Sequence, residues 1–493
     1  MGENIVRKNA HKKMRIILEK CSLLWYNNKW KGAYQMPHKK EVKIGEFLVQ
    51  ASNEDLTTPT GLVLVGELLR LSGLQEIVND KKLGKRSKPY IKIGDTLASY
   101  IAMLCQAKPC YDDIRELHAN ESFSKKALHI EHIPSSEALR LRMNNIGGAL
   151  HQEILMANIQ MLVKSGVMIP TEKHGYVVID IDVSCFDNSK TFKEGVSRTY
   201  AGYDGYAPIF AYIAHYLLDA ELRIGVQHCQ NGTPAFLLEA LIAAHKITEK
   251  TLLVRLDSGN DAAENIGILL TDHTHFIIKR NLRRESVDEW AVQIKESCKN
   301  IDEPRDGKKV YTGSLFKEVT YTIKEDNKDT DVTVPVRIVY EMTVRTIDKY
   351  GQTLLVPEIE LDMWWTDLDW NEDDVIESYH AHGECEQYHS EIKTDMDVER
   401  LPSGKLETNK LVLDLTILAF NILRIIGDKS LEGDSSPQMK RPVERRRIRT
   451  VISNLILIAS HLTSHARRRF VSLGRSNIWI PNFLNICSSI AAM

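Results

Sequence analysis

The sequence lacks the cysteine patterns that mark a zinc site or a redox pair. Its eight cysteines are scattered along 493 residues, with no Cys-x-x-Cys pair and no Cys/His set at zinc spacing. This absence argues against a zinc-ligated fold and against a disulfide-stapled one. We therefore expect reduced thiols and a cytoplasmic location.

The sequence also lacks a long uninterrupted apolar run. The longest apolar stretch, residues 411–426, contains Asp414 and Arg424, and the N-terminal residues contain no apolar segment of the signal-peptide kind. We therefore predict no membrane span and no signal peptide, and we expect no membrane partner.

A strong excess of charge of one sign is missing as well. The net charge is −2 and the pI is about 6.8, which argues against a uniformly basic nucleic-acid-binding protein. Basic regions are local: residues 1–43 hold 11 Lys and Arg against 3 Glu, and arginine clusters occupy 445–449 and 467–469. Such clusters are either solvated faces or phosphate contacts, and charge alone does not choose between them.

Two apolar segments each end in an aspartate. Residues 177–182 and 252–257 are short, rich in Val, Ile and Leu, and turn polar after Asp182 and Asp257. Such runs are typical of strands buried in a central sheet, and open α/β folds bind ligands at the carboxyl edge of that sheet. Taken singly, either aspartate could be a turn or helix-cap residue. Together they are candidate ligands for a divalent cation.

A charged segment farther along the chain carries a third acidic candidate. Residues 373–400 contain no proline and one glycine, which predicts a helix of several turns. His382, Glu386 and Lys393 follow Tyr379 by three, seven and fourteen residues, so all four fall on one helix face. This face is either a functional stripe or part of a solvated charged helix. A carboxylate here, beside the two strand-end aspartates, would suit two-metal phosphodiester chemistry.

The spacing Tyr379-x2-His382-x3-Glu386-x6-Lys393 resembles the Tyr-x2-Arg-x3-Glu-x6-Lys signature of bacterial insertion-sequence transposases with a DDE catalytic triad. Other motifs of that family occur here in the family's order, and the resemblance covers residues 58–485. These motifs are Asp182-x-Ser184, the tyrosine- and glycine-rich stretch at 200–208, Arg-Leu-Asp-Ser-Gly at 255–259, Leu-Pro-Ser at 401–403, Asn409 and Ala-Phe-Asn at 419–421.

The resemblance implies an α/β fold with a ribonuclease H-like catalytic core, a β-rich insertion and a helical region before the core. It implies cleavage of DNA at the inverted-repeat ends of an insertion sequence, followed by strand transfer into target DNA. The partners would be double-stranded DNA and a second copy of the chain in a synaptic complex. The location would be the bacterial cytoplasm, at the nucleoid.

The resemblance also assigns roles to individual residues. The catalytic triad, and the ligands of two Mg²⁺ or Mn²⁺ ions, would be Asp182, Asp257 and Glu386. The side chains contacting DNA phosphates would be Tyr379, His382 and Lys393. Arg255 would support the second strand structurally.

The chain departs from the family pattern at His382, which stands where the signature has arginine. Histidine cannot offer the fixed two-pronged guanidinium contact to phosphate, so activity could be reduced or pH-dependent.

Two alternatives to a transposase remain open: a nuclease of the same fold without strand transfer, and a decayed or domesticated copy that only binds DNA. A nucleophilic cysteine, Cys185 or Cys385, is a further and weaker alternative because neither has a local base motif.

Four regions are predicted along the chain. Residues 1–45 form a basic extension, and residues 46–170 a helical region that the resemblance assigns to binding of the transposon end. Residues 171–440 form the catalytic domain, with a β-rich insertion at about 308–365. Residues 441–493 form a basic, helical C-terminal region, which includes an amphipathic helix starting near residue 451.

Hydrophobic patterning predicts individual elements of the helical region and of the catalytic domain. A helix start is predicted at Ser135, where capping residues precede a periodic apolar segment. The predicted strands cover 176–183, 207–216, 222–228, 251–256 and 274–279, and the predicted helices cover 234–246 and 261–271. Three tryptophans near the end of the insertion are either core residues or stacking surfaces for a flipped base. They are Trp364, Trp365 and Trp370.

Overall fold

The computed structural model describes residues 41–81, 90–325, 328–437 and 443–493. The predicted basic extension therefore lies outside the described residues, except for residues 41–45. The chain divides into two compact units, the first ending at Asp55 and the second spanning Leu56–Met493. In the first unit, strands β1 (Val42–Ile44) and β2 (Phe47–Val49) form an antiparallel hairpin. None of the described helices combines the length and the apolarity needed to cross a bilayer.

The second unit begins with a short strand, β3 (Leu56–Thr57), and a run of helices. The helices are α1 (Leu62–Ser72), α2 (Leu74–Asn79), α3 (Ile93–Leu104), α4 (Arg115–Ala119), α5 (Glu121–Ala127), α6 (Ser136–Ile146) and α7 (His151–Lys164). The predicted helix start is confirmed, because the Ser135 hydroxyl caps α6 by accepting the Ala138 N–H at 3.3 Å. Gly147, with φ of +53°, ends α6, so the apolar segment forms two helices.

The next strands build one large mixed sheet and one small sheet. They are β4 (Val177–Val183), β5 (Phe186–Asp187), β6 (Ser197–Arg198), β7 (Asp204–Tyr206), β8 (Ile209–Ile213), β9 (Tyr216–Glu221), β10 (Leu252–Leu256), β11 (His275–Lys279), β12 (Asn300–Arg305), β13 (Lys308–Glu325), β14 (Lys328–Ile347) and β15 (Thr353–Thr366). The large sheet has the order β12-β13-β14-β15-β11-β10-β4-β8-β9. Strand β10 runs parallel to β4 and β11, whereas β4, β8 and β9 alternate in direction.

Strands β4 and β10 lie side by side at the centre of this sheet because both are apolar and buried. Their register pairs Ile181 with Leu256. The residues that follow, Asp182 and Asp257, therefore come to the same carboxyl edge. The strands predicted at 176–183, 251–256 and 274–279 are confirmed within two residues.

The remaining helices cover the sheet and end the chain. They are α8 (Thr233–Ile247), α9 (Ala263–Asp272), α10 (Val287–Ser297), α11 (Glu372–Ala381), α12 (Cys385–Ser390), α13 (Leu406–Lys429), α14 (Ile448–Val451) and α15 (Ile480–Ala491). The longest apolar stretch of the sequence lies in α13, whose residues 411–427 are all buried. Helix α13 packs against α3, α7 and β9, so the N-terminal helices share one compact unit with the sheet.

The segment 308–365 is β-rich as predicted, but it is not a separate subdomain. Strands β13, β14 and β15 pair with one another, and β15 then pairs antiparallel with β11 through Ile278 and Trp365. The segment thus continues the central sheet. The three tryptophans are buried, between 1% and 7% exposed, so the core alternative is correct and the stacking alternative is not.

Two other predictions are wrong. The strand expected at 222–228 lies earlier, as β9, because Ala214 with φ of +51° makes a tight turn that ends β8 at Ile213. The C-terminal helix expected from residue 451 stops at Ile456, and the chain then forms the hairpin β16 (Ser460–His465) and β17 (Arg468–Leu473). Pairing of β16 with β3 is a long-range interaction, which helical periodicity in the sequence does not reveal.

Candidate active site

Two of the three acidic candidates lie at the carboxyl edge of the central sheet, and the third lines a pocket together with Asp182. Asp182 ends β4, and Asp257 follows the last residue of β10. The amide of Asn260 donates to Asp257 Oδ1 at 2.7 Å, which holds this carboxylate at the start of a short 3₁₀ turn. Glu386 lies on α12, within a nearly continuous helical segment from residue 372 to 395.

A pocket of about 400 Å³ collects several of these residues. Its lining includes Asp182, Glu386, Lys393 and Tyr200, whose hydroxyl donates to the Val183 carbonyl at 2.8 Å. Asp257 does not line this pocket and lies beside it, at the end of the neighbouring strand. Glu386 also lines a second pocket, of about 420 Å³, on its other side. The site is therefore an open cleft with carboxylates on its walls.

The pKa of Asp182 reflects burial first and neighbouring carboxylates second. Burial raises the pKa of Asp182 to about 6, and the carboxylates of Asp257 and Glu386 add to this effect, although His382 opposes it. Such a group is stabilised in its charged form when a cation lies nearby. Carboxylate oxygens are the ligands that Mg²⁺ and Mn²⁺ prefer, so this donor set fits a divalent ion.

Asp180, two residues before Asp182 on the same strand, has a different environment. It is 3% exposed and accepts two hydrogen bonds from Arg255, from Nε and Nη2, each at 2.7 Å. His382 Nδ1 donates to Asp180 at 2.7 Å. Burial disfavours the charge, but Arg255 and His382 outweigh it and hold the pKa of Asp180 below its usual value. The negative charge of Asp180 is thus balanced by partners within the protein. Asp182 is the strand-end carboxylate that remains available to bind a cation.

Arg255 and His382 lie behind the carboxylates. Arg255 also donates to Glu172 at 2.7 Å and to the Ser378 carbonyl, and so joins β10 to β4 and α11. His382 is 7% exposed and faces Asp180. This placement gives His382 a partner within the protein, and its predicted contact with DNA phosphate stays a prediction. The buried ring of His382 can orient Asp180 through this hydrogen bond.

Lys393 and Tyr379 lie nearer to the carboxylates. Lys393 is half-buried in the pocket, with Nζ 5.8 Å from the centre of the Phe186 ring, and burial lowers its pKa. Tyr379 is half-buried, with its ring 5.7 Å from that of Trp364. Burial raises the pKa of Tyr379, and the charges of Asp257 and Asp182 raise it further. Its hydroxyl is therefore a neutral donor beside the acidic cluster.

Two residues outside the predicted triad also lie near Asp182: Cys385, which the sequence offered only as a weak nucleophile candidate, and His389, which it did not assign to the site. Cys385 Sγ is 3.8 Å and His389 Nδ1 is 3.7 Å from Asp182 Oδ2. The ligand atoms of Asp182, Cys385 and His389 lie within 4.8 Å of one another. Within the described part of the chain, the oxygens of the three predicted carboxylates do not form such a group. His389 follows Glu386 by three residues, so it occupies the same helix face, and this spacing was the available signal.

The protonation of these two residues limits what they can do. Burial raises the pKa of Cys385 far above its usual value, so the side chain is a thiol and not a nucleophilic thiolate. Burial also lowers the pKa of His389 to about 3, so its ring is neutral. The structure therefore gives no support to Cys385 as a nucleophile.

Comparison with known proteins decides the family. The family model described as "Transposase DDE domain group 1" matches residues 40–493. The chain belongs to this family. The transposase is also similar to a solved structure, the cryo-EM structure of the piggyBac transposase synaptic complex with hairpin DNA. The identity is 10%, the match covers 82% of each chain and the TM-score is 0.37. A search of curated proteins found no match.

Family membership gives the transposase a coarse function. A transposase DDE domain belongs to DNA-cutting enzymes, so the predictions of a transposase and of an enzyme are confirmed at this level. The α/β fold class is confirmed by the mixed sheet and its helices.

The arginine cluster at 445–449 forms ion pairs with acidic residues of the same chain. Arg445 donates to Glu391 at 2.7 Å, and Arg447 Nε to Asp395 at 2.7 Å; Arg449 is 3.1 Å from the other Asp395 oxygen. Both carboxylates are buried and follow α12 directly. This cluster therefore ties the C-terminal segment to the helical segment that carries Glu386.

Proposed function

We propose that this transposase binds the inverted-repeat ends of a bacterial insertion sequence, cuts the DNA there and joins the freed ends to target DNA. The observation that supports the proposal is that Asp182, at the end of β4, shares a pocket with Glu386 and feels the charges of both Asp257 and Glu386, which add to the effect of burial on its pKa. The sheet order β9-β8-β4-β10-β11, antiparallel in its first three strands and parallel in its last three, supports a ribonuclease H-like core.

The three carboxylates are the residues that would hold two Mg²⁺ or Mn²⁺ ions. When bound, such ions stabilise the attacking and the leaving oxygens of an in-line displacement at phosphorus. The fit rests on the donor chemistry: Asp182, Asp257 and Glu386 offer oxygen atoms alone, and a cation would favour the charged form of Asp182, whose pKa burial raises.

The other site residues act on the DNA or on the carboxylates. Lys393 lies in the pocket beside Asp182 and would contact phosphate oxygens near the scissile bond. Tyr379 would donate its hydroxyl there. His382 would act through Asp180 and Arg255, which keep β4 and β10 aligned. The exposed arginines at 467–469, in the β16–β17 hairpin, would contact the DNA backbone.

The reaction needs no external energy source. In the first step the oxygen of a water molecule bonds to phosphorus and the bond to the 3′-oxygen breaks, which releases a 3′-hydroxyl. In the second step that hydroxyl oxygen bonds to a target phosphorus, and the target's own 3′-oxygen leaves. The number of phosphodiester bonds is unchanged in the second step. A pair of transposase copies, each on one end, would hold the ends together at the bacterial chromosome.

The test is to incubate the full chain with labelled end DNA, a target plasmid and Mg²⁺, and to separate cut from joined products. Joined products are the expected result. Cleavage without joining would instead identify a nuclease of the same fold. Binding without metal-dependent cleavage would identify a copy that has kept only DNA binding, and either of these results would overturn the proposal.

A further inference from the structure

A second cluster of titratable side chains lies apart from the catalytic carboxylates. It combines His151 at the start of α7, Asp219 on β9, Glu239 on α8 and Asp414 on α13. Asp219 is fully buried and Asp414 is 4% exposed, whereas His151 and Glu239 are partly exposed. No residue of this cluster lines the pocket around Asp182.

The two nitrogens of the His151 ring have different surroundings. Nδ1 donates to Asp414 Oδ1 at 3.0 Å. Nε2 faces Asp219 Oδ1 at 3.6 Å and Glu239 Oε2 at 3.9 Å, distances that are too long for hydrogen bonds. With Nδ1 bound to a carboxylate, Nε2 is the nitrogen that would bind an ion after losing its proton, and metal-ligating histidines are commonly oriented in this way.

Oxygen atoms in the cluster lack partners. Asp219 Oδ2 and Asp414 Oδ2 are buried without a hydrogen bond within the described part of the chain. Buried polar atoms in native proteins are normally paired, so an unpartnered carboxylate oxygen indicates a missing ligand. The cluster therefore carries acidic groups that a cation would neutralise.

We propose that His151 Nε2, Asp219 and Glu239 bind a divalent transition-metal ion such as Zn²⁺ or Mn²⁺, with Asp414 orienting the His151 ring. Bonds of about 2.0–2.2 Å place the ligand atoms of a four-coordinate ion roughly 3.3–3.6 Å apart. The three ligand atoms here lie within 4.8 Å of one another, so small side-chain movements complete the site.

An imidazole nitrogen in the ligand set selects transition ions over Mg²⁺. The ion would fasten β9, the edge strand of the central sheet, to α7 and α8, with α13 held through Asp414. The site is thus structural. It does not depend on the function proposed for the three catalytic carboxylates.

The test measures metal binding by the full chain in which Asp182, Asp257 and Glu386 are all replaced by Ala. These replacements remove the catalytic carboxylates and also the Asp182–Cys385–His389 group as competing sites. Titration with Zn²⁺, and separately with Mn²⁺, is expected to show one ion bound per chain and a rise in Tm. Adding Glu239→Ala should weaken binding more than about tenfold, and Asp414→Asn about 10–100-fold.

The matched control is Glu249→Ala, which removes an exposed carboxylate outside the cluster and should leave binding unchanged. Asp219→Asn is the second variant: it should abolish the metal-dependent rise in Tm while the protein remains folded by circular dichroism. If Asp219→Asn instead raises the Tm and the parent binds neither ion, the cluster is a metal-free group of buried acids and the proposal fails. Equal affinity in the Glu239→Ala and Glu249→Ala proteins would overturn it as well.

Discussion

At the scale of single residues, Asp180 and Asp182 show how environment separates two identical side chains. Both point to the same face of β4, since they are two residues apart. Arg255 and His382 neutralise Asp180, whereas Asp182 has carboxylate neighbours and an open pocket. The sequence favoured Asp182 through its position at the strand end and through the family motif, and the structure gives a physical reason.

The pairing of His382 with Asp180 makes stability depend on pH. Burial alone would lower the pKa of His382, but the charge of Asp180 outweighs it and raises this pKa. When folding raises the pKa of a histidine, its charged form stabilises the folded state. This stabilisation is fully present below the unfolded-state pKa of about 6.5, and it is lost as pH rises through the folded-state pKa. We therefore expect the unfolding free energies of wild type and His382→Gln to converge as pH rises above about 6.5.

Urea denaturation at a series of pH values measures this difference. His465→Gln, at an exposed position on β16, is the control and should show little dependence on pH. A difference between wild type and His382→Gln that stays constant over the range would contradict a charged His382–Asp180 pair.

At the scale of elements, ion pairs near its C-terminal end anchor the helical segment that carries Glu386. Asp395 is buried and binds Arg447 and Arg449. Replacing it by Asn removes the charge that both guanidinium groups contact. We expect Asp395→Asn to lower the free energy of unfolding by about 1–3 kcal/mol, and to slow cleavage because Glu386 loses its support.

Asp397→Asn is the matched control for this change. Asp397 is exposed two residues later and has φ of +57°, a conformation that asparagine tolerates well. Chemical denaturation of both variants gives the comparison. Equal stability of the two proteins would show that the arginines do not anchor this segment.

The hairpin of β16 and β17 leads to a prediction about DNA binding. Arg467, Arg468 and Arg469 are exposed, and none of them forms an ion pair with any described residue. If they contact phosphates, replacing all three by Ala should weaken binding of end DNA. The slope of log affinity against log salt concentration should also fall in magnitude by about 0.9 for each lost contact.

Fluorescence anisotropy at several salt concentrations provides this measurement. The control replaces two exposed lysines outside the hairpin, Lys246 and Lys250, which lie near the end of α8. An unchanged salt slope in the arginine variant would remove the hairpin from the DNA-binding surface.

At the scale of the whole molecule, local patterns predicted the elements that carry the site. Apolar runs located β4 and β10, and helical spacing located Glu386 and Lys393 on one segment. Long-range pairing was not predictable in the same way. Nothing in residues 308–365 indicates that β15 lies beside β11, and nothing near residue 460 indicates that β16 pairs with β3.

The site was predicted incompletely for a related reason. His382 was assigned from its place in a motif, whereas its orientation depends on Asp180, 202 residues away in the chain. His389 was missed because a histidine on a helix face has many possible roles until its neighbours are known. Tertiary contacts, which periodicity does not encode, decide both cases.

The central claim is that Asp182, Asp257 and Glu386 are the catalytic carboxylates. The most direct test is the rate of Mg²⁺- or Mn²⁺-dependent cleavage of labelled end DNA by Asp182→Asn, Asp257→Asn and Glu386→Gln. Each should fall more than about a hundredfold, while DNA binding is retained. Glu384→Gln, at an exposed position two residues from Glu386, should stay within about twofold of wild type. Cleavage at the wild-type rate by any of the three variants would contradict the account.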